Sequence, residues 1–159
     1  MNNLDVSGLQ ETLFRLDCCR QRVRRDRSIS LGFGRRVFHN KKHLEDNFYG
    51  EWEIGTYTNS WRVTERNSII IGSQDEVDSI EELNKKLERV RFGRISSIEI
   101  SNNVDVIIKF NNEIILEVLA VSDSDDEIFH IFGPENFYIE YSINRSWIIG
   151  RSNVPWNPK

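Results

Sequence analysis

Carboxylates are the residues whose type and spacing come nearest to a chemical function in this chain. Asp123, Asp125, Asp126 and Glu127 form one group, and Asp75, Glu76 and Asp78 form a second, just ahead of Glu81 and Glu82. Paired carboxylates serve acid–base catalysis or hold a hard divalent cation. Neither group has the ligand spacing of a calcium loop, and neither sits in the apolar context that raises a catalytic pKa. Negative patches also dock basic proteins, speeding encounter and adding selectivity. Asp75, Glu76, Asp78, Asp123, Asp125, Asp126 and Glu127 are therefore the candidate partner-binding residues.

The opposite charge is concentrated in Arg20, Arg22, Arg24, Arg25 and Arg27. Clustered arginines neutralise phosphates, which makes a nucleic-acid-binding or regulatory module the alternative reading. Against direct nucleic-acid binding stands a net charge of −4, since domains that bind this way are usually strongly basic. His39 and His43 are four apart, as metal ligands on one helix face are, but Lys41 and Lys42 between them oppose a dication and no third ligand is apparent. We expect no metal and no cofactor. His130, between Phe129 and Ile131, reads as a strand residue with a satisfied imidazole. Cys18 and Cys19 are adjacent, a spacing that disfavours an ordinary disulfide and suits reduced thiols in a cytoplasm. No nucleophile, base and oxyanion donors converge, so a non-enzymatic protein is expected.

The elements that must position these groups are mostly strands. At 159 residues the chain is the length of one domain, so a single domain over residues 1–159 is expected, with a real core. Leu9, Leu13, Leu16, Cys19 and Val23 recur at spacings of three and four, which predicts an amphipathic helix from about Asp5 to Arg25 that carries the arginines. Ser7 stands three residues before Gln10 in a capping-box pattern. Ile29, Leu31 and Phe33 then alternate with Ser30, Gly32 and Gly34 as in a strand. Residues 35–47 are polar and basic without period and read as a long loop.

From Gly50 the pattern is sheet. Trp52–Tyr57, Trp61–Val63 and Ile69–Ile71 are predicted as three consecutive antiparallel strands, the first pair joined through Thr58, Asn59 and Ser60. Residues 79–91 switch to helical period: Ile80, Leu83, Leu87 and Val90 form the apolar face, and Ser79 is placed to cap. Further strands are predicted around Ile95–Ile100, Val104–Phe110, Ile114–Val121, Ile128–Phe132, Phe137–Ile143 and Trp147–Ile149. Residues 152–159 read as an extended tail, with Trp156 between two prolines as a packed or partner-anchoring aromatic. The expected fold is α+β: a mainly antiparallel sheet of about six to nine strands with an N-terminal helix and a second near 79–91.

Charge is unevenly divided: Lys and Arg predominate up to residue 43, and Asp and Glu beyond it. No stretch is long and apolar enough for a bilayer-spanning helix and the N-terminus lacks signal-peptide character, so a soluble cytoplasmic protein is expected.

This layout resembles the immunity proteins of bacterial contact-dependent growth inhibition and other polymorphic toxin systems. The likeness spans about Leu9 to Ile149. It lies in the N-terminal segment leading to Ser30-Leu31-Gly32-Phe33-Gly34, in Gly50-Glu51-Trp52-Glu53-Ile54 and Trp61-Arg62-Val63, in Ile71-Gly72-Ser73-Gln74-Asp75 before a helix, and in Val106-Ile107-Ile108-Lys109-Phe110. It implies a cytoplasmic, non-enzymatic protein that binds a cognate toxin domain and blocks its active site. Carboxylates would take the place of nucleic-acid phosphate if that toxin is a basic nuclease.

Overall fold

In the computed structural model, which describes residues 7–102 and 104–153, Leu9 and Leu13 are buried as their spacing predicts, but the helix expected to carry them ends almost at once. α1 spans only Ser7–Gln10 and is followed by a 3-10 turn at Leu13–Arg15. The expected start at Asp5 and the capping role of the Ser7 side chain lie outside the described residues. The rest of the predicted helix is a strand, β1 (Cys18–Val23). Arg20 and Arg22 turn to one face of it, where carboxylates await them, while Gln21 and Val23 turn inward toward α2 (Ile80–Glu88).

β2 (Ile29–Phe38) and β3 (Phe48–Thr56) shorten the expected loop to residues 39–47. Arg36, Val37 and Phe38 pair with Gly50, Tyr49 and Phe48 in a hairpin that projects past the core, which is why these residues show no burial pattern in the sequence. The remaining strands are β4 (Trp61–Glu65), β5 (Ser68–Gly72), β6 (Ile95–Ile100), β7 (Val106–Phe110), β8 (Ile114–Val118), β9 (Glu127–Phe132), β10 (Phe137–Ser142) and β11 (Ser146–Arg151).

The fold is α+β, but among the described residues the strands number eleven and form two antiparallel sheets rather than one. One has the order β1-β2-β3-β9-β10-β11 and the other β5-β4-β8-β7-β6. The turn at Thr58-Asn59-Ser60 is therefore not a hairpin. β3 pairs with β2 and β9, and the chain crosses to the second sheet at β4, which pairs with β5 and β8.

Both sheets contribute to one continuous core. Ile29, Leu31, Phe33, Ile54, Phe129 and Ile131 come from the first, and Val63, Ile108, Leu116 and Val118 from the second. Phe33 and Phe110 join them as stacked rings with centroids 6.5 Å apart. Trp52 and Trp61 are buried and Trp147 is half-buried against Phe129 and Tyr141, whereas Trp156 lies outside the described residues.

α2 closes the free edge of β1. Its buried Asn84 acts as a surrogate strand partner, accepting from the Val23 N–H at 2.8 Å and donating to the Val23 carbonyl at 2.9 Å. Gln21 returns the contact by donating to the carbonyls of Leu87 and Val90. Ser79 caps the helix as predicted, its hydroxyl accepting from the Glu82 N–H at 3.3 Å. Ser79→Ala is expected to lower stability by about 1 kcal/mol and Ser79→Gly by only a few tenths; urea unfolding of the two variants distinguishes a cap from a general packing role.

Candidate functional site

The strand registers carry connections 24–28, 57–60, 73–79, 101–105, 119–126 and 143–145 to one end of the molecule. Hydrogen bonds link these loops into a row. Arg27 donates to the carbonyls of Ser73 and Asp75 at 2.8 and 3.1 Å, and the Ser73 hydroxyl accepts from the Trp61 N–H. The Leu119 N–H reaches the Ser60 carbonyl at 2.8 Å, and the Ala120 N–H reaches the Asp105 carboxylate at 2.7 Å.

All seven acidic candidates lie at this end. Glu76, Asp78, Asp123 and Asp126 are exposed. Asp75 pairs with Lys86, and Asp125 pairs with Arg145 at 2.9 Å. Glu127 belongs to β9 rather than to the preceding loop. The fold thus brings two acidic segments that are far apart in sequence to the same end of the molecule, which they share with Arg24, Arg25 and Arg27 of the 24–28 turn.

The arginines are not on a helix and do not act as a set. Arg20 pairs with Asp46 at 2.9 Å and Glu53 at 3.1 Å; Arg22 pairs with Glu45 at 3.3 Å and Asp46 at 2.5 Å. Burial raises the Asp46 carboxyl, but the Arg22 hydrogen bond and the charges of Arg20 and Arg22 outweigh it and hold the group below its ordinary range. Arg27 is committed to backbone carbonyls. Arg24 and Arg25, in the β1–β2 turn, form no salt bridge among the described residues.

The paired arginines instead form one side of a cleft of about 840 Å³ on the face of the six-stranded sheet that points away from the core. Its floor is made by Ser30, Gly50, Glu53 and His130, and its walls by the turn at 24–26, the loop at 41–46, and Phe132 and Phe137. Beneath it, a small residue leaves room for the His130 ring. A side chain at Gly55, which stands opposite both Ser30 and His130, would place its first carbon 2.9 Å from the His130 Nε2.

His130 is the unusual member. It is 2% exposed, and its ring lies between Tyr57 and Phe132 with centroids 4.4 and 4.7 Å away. Contrary to the expectation of a satisfied imidazole, its Nδ1 has no hydrogen-bond partner among the described residues. Burial, assisted by the Arg24 charge, lowers its pKa to about 3, so the ring is neutral at physiological pH. Burial also raises the pKa of Glu53, against the opposing charge of Arg20. Burial and the hydrogen bond to Glu140 raise that of Tyr57. Glu53 and His130 both line the cleft, and perturbed groups in a cleft are a recurrent mark of functional sites.

No protein-family model, curated protein or solved structure matches this chain. The geometry alone therefore carries the functional argument.

The other sequence candidates do not assemble into a site. His39 packs at a tilt on Tyr49 and accepts from the Lys41 N–H, and no group of three metal-ligating side chains occurs among the described residues. Cys18 and Cys19 are free and half-buried on β1, not on a helix; burial pushes the Cys18 thiol up to about 12, which removes its nucleophilic form. No helix of the described residues is long and apolar enough to cross a membrane. The cleft itself escaped sequence reading. Its local trace was small residues among larger ones, Ser30 between Ile29 and Leu31 on β2 and Gly50 on β3.

Proposed function

We propose that this protein is a non-enzymatic immunity protein that binds and neutralises a cognate bacterial toxin domain in the cytoplasm, with the loop-bearing acidic end as the docking surface. The observation that carries this reading is the convergence of Asp75, Glu76 and Asp78 with Asp123, Asp125, Asp126 and Glu127 at one end of the molecule. Such a surface complements a basic protein, of which a nuclease domain is one kind. The arginine-based alternative has less support, because Arg20, Arg22 and Arg27 spend their donors within the fold.

Co-expression with the toxin domain encoded beside this chain tests the proposal. A stable complex and restored growth are expected. A folded protein that neither co-purifies nor rescues would sink the pairing. Within a complex, Glu76→Lys combined with Asp123→Lys and Asp126→Lys changes only exposed side chains. It is expected to slow association tenfold or more at low salt, with the difference shrinking as salt is added. An unchanged association rate in stopped-flow measurements would place the interface elsewhere.

A further inference from the structure

We propose that the pocket between the 101–105 and 143–145 connections is the anchor point of the toxin interface, seating one large apolar side chain that a basic toxin domain presents there. The proposal rests on the immunity reading and gives that interface a centre. The pocket lies where the two sheets meet at the loop-bearing end. Its volume is about 300 Å³, and it is lined by Ile100 and Val104 from the five-stranded sheet and by Tyr141 and Ile143 from the six-stranded one. Tyr141 is 3% exposed, and its hydroxyl donates to the Val104 carbonyl at 3.4 Å, a long bond for a hydroxyl. Pockets that take a single anchor side chain are the usual centre of a protein interface, ringed by contacts that exclude water.

The backbone supplies a second observation. Val104 has a φ of 62°, in the left-handed region that a β-branched residue adopts only under strain and that glycine or asparagine takes readily. Hydrogen bonds hold the turn in this form: the Val104 N–H donates to the Ser101 carbonyl at 3.0 Å, the Ser101 N–H to the Asp105 carbonyl at 2.9 Å, and the Asp105 N–H to the Ser101 hydroxyl at 3.2 Å. A turn that asparagine would close more easily thus carries a half-buried valine, at the wall of the pocket.

The third observation is charge. The 119–126 connection is tied to both sides of the pocket, through the Ala120 N–H to the Asp105 carboxylate at 2.7 Å and through Asp125 to Arg145 at 2.9 Å. On these three connections Asp105, Asp123, Asp125 and Asp126 stand against one arginine, Arg145. Arg24 and Arg25 are held away from it: their turn joins β1 to β2, and β10 lies three strands beyond β2, about 14 Å at ordinary strand spacing. An apolar pocket with an acidic rim complements a basic partner that carries an apolar anchor. Val121, 68% exposed beside Ala120, extends the apolar surface. A second copy of this chain fits less well, because it would bring like charges together at the rim.

The toxin domain encoded beside this chain is the probe. Its dissociation from the wild type, Val104→Asn and Ile143→Ala is measured by surface plasmon resonance, with urea unfolding of each isolated variant as the control for folding. Val104→Asn is expected to keep the unfolding midpoint at or above that of the wild type, because asparagine accepts a positive φ, and yet to speed dissociation tenfold or more. Ile143→Ala is expected to speed it to a similar extent. Association rates should hardly change, in contrast to the charge reversals at Glu76, Asp123 and Asp126, so the two kinds of variant separate anchor from rim. A wild-type complex whose dissociation neither substitution alters leaves the immunity reading standing and overturns the pocket's role. A Val104→Asn variant that loses stability in step with binding also overturns it, because the valine then serves the fold alone. No complex with the wild type removes the immunity reading and the pocket's role together.

Discussion

Glu53→Ala is expected to destabilise the protein by about 3 kcal/mol, the scale of breaking a buried ion pair by removing one partner. The Glu53 and Arg20 side chains are only 14% and 10% exposed. One Glu53 oxygen accepts from Arg20 at 3.1 Å and from the Ser30 hydroxyl at 3.2 Å, while the other accepts from the Gly50 N–H at 2.6 Å. Truncation leaves these donors facing each other with Asp46 as the remaining anion. Replacing both partners, Arg20→Met with Glu53→Leu, should recover much of the loss, because the desolvation cost of the charges disappears along with their attraction. Urea unfolding of the wild type, Arg20→Met, Glu53→Leu and the double variant forms the complete cycle, with Glu53→Ala measured beside it. A Glu53→Ala loss below about 1 kcal/mol would mean that water reaches Arg20 freely.

Acidification should act chiefly through His130. Its pKa of about 3 in the folded state lies below the ordinary 6.5, so above pH 6.5 both states are neutral and the full stability is present. As pH falls below 6.5 the unfolded chain takes up a proton that the folded one refuses, and stability is lost progressively down to the folded value. At about 1.4 kcal/mol per pH unit, roughly 2 kcal/mol should be gone at pH 5. Asp46, whose pKa is lowered, loses its contribution only as pH falls through the acid range of aspartate. Glu53 opposes both, because its raised pKa makes the folded state gain a proton first on acidification. Comparing the change in unfolding free energy between pH 7 and 5 for the wild type and His130→Phe isolates the imidazole. Equal slopes for the two proteins would show that His130 titrates normally when folded.

What the sequence revealed depended on whether burial and local pattern coincide. α2 was legible because its apolar stripe, cap and end charges all report the same helix. β7 and β8 were legible because Val106, Ile108 and Phe110 alternate on one buried face and meet Leu116 and Val118 across the ladder. β1 misled because its inward residues include Gln21, which satisfies carbonyls of α2, and its outward ones include Arg20 and Arg22, which are partly buried by carboxylates from elsewhere. Leu9, Leu13, Cys19 and Val23 then mimic a helical stripe. The division into two sheets was hidden for a different reason. Thr58-Asn59-Ser60 is a good local turn, and only the distant partner β9 decides that β3 and β4 part there. The acidic segments were visible singly, but their placement at one end depended on that topology, as did the gathering of Ser30, Glu53 and His130 from β2, β3 and β9.

The strand order also constrains how the polypeptide can be made. β3 ends at Thr56, yet its second neighbour β9 begins only at Glu127, and the whole five-stranded sheet is encoded between them. A nascent chain emerging from the ribosome can close the hairpin of β2 and β3 early. It must then carry an open, partly apolar strand edge until Phe132 has cleared the exit tunnel, because the edge of β3 that faces away from β2 has no strand but β9 to pair with. Long-range pairing of this kind is slow and exposed to misassembly. Translation speed across residues 57–126 should therefore govern the yield of native protein, and a chain stopped short of β9 should be a substrate for chaperones rather than a smaller folded domain.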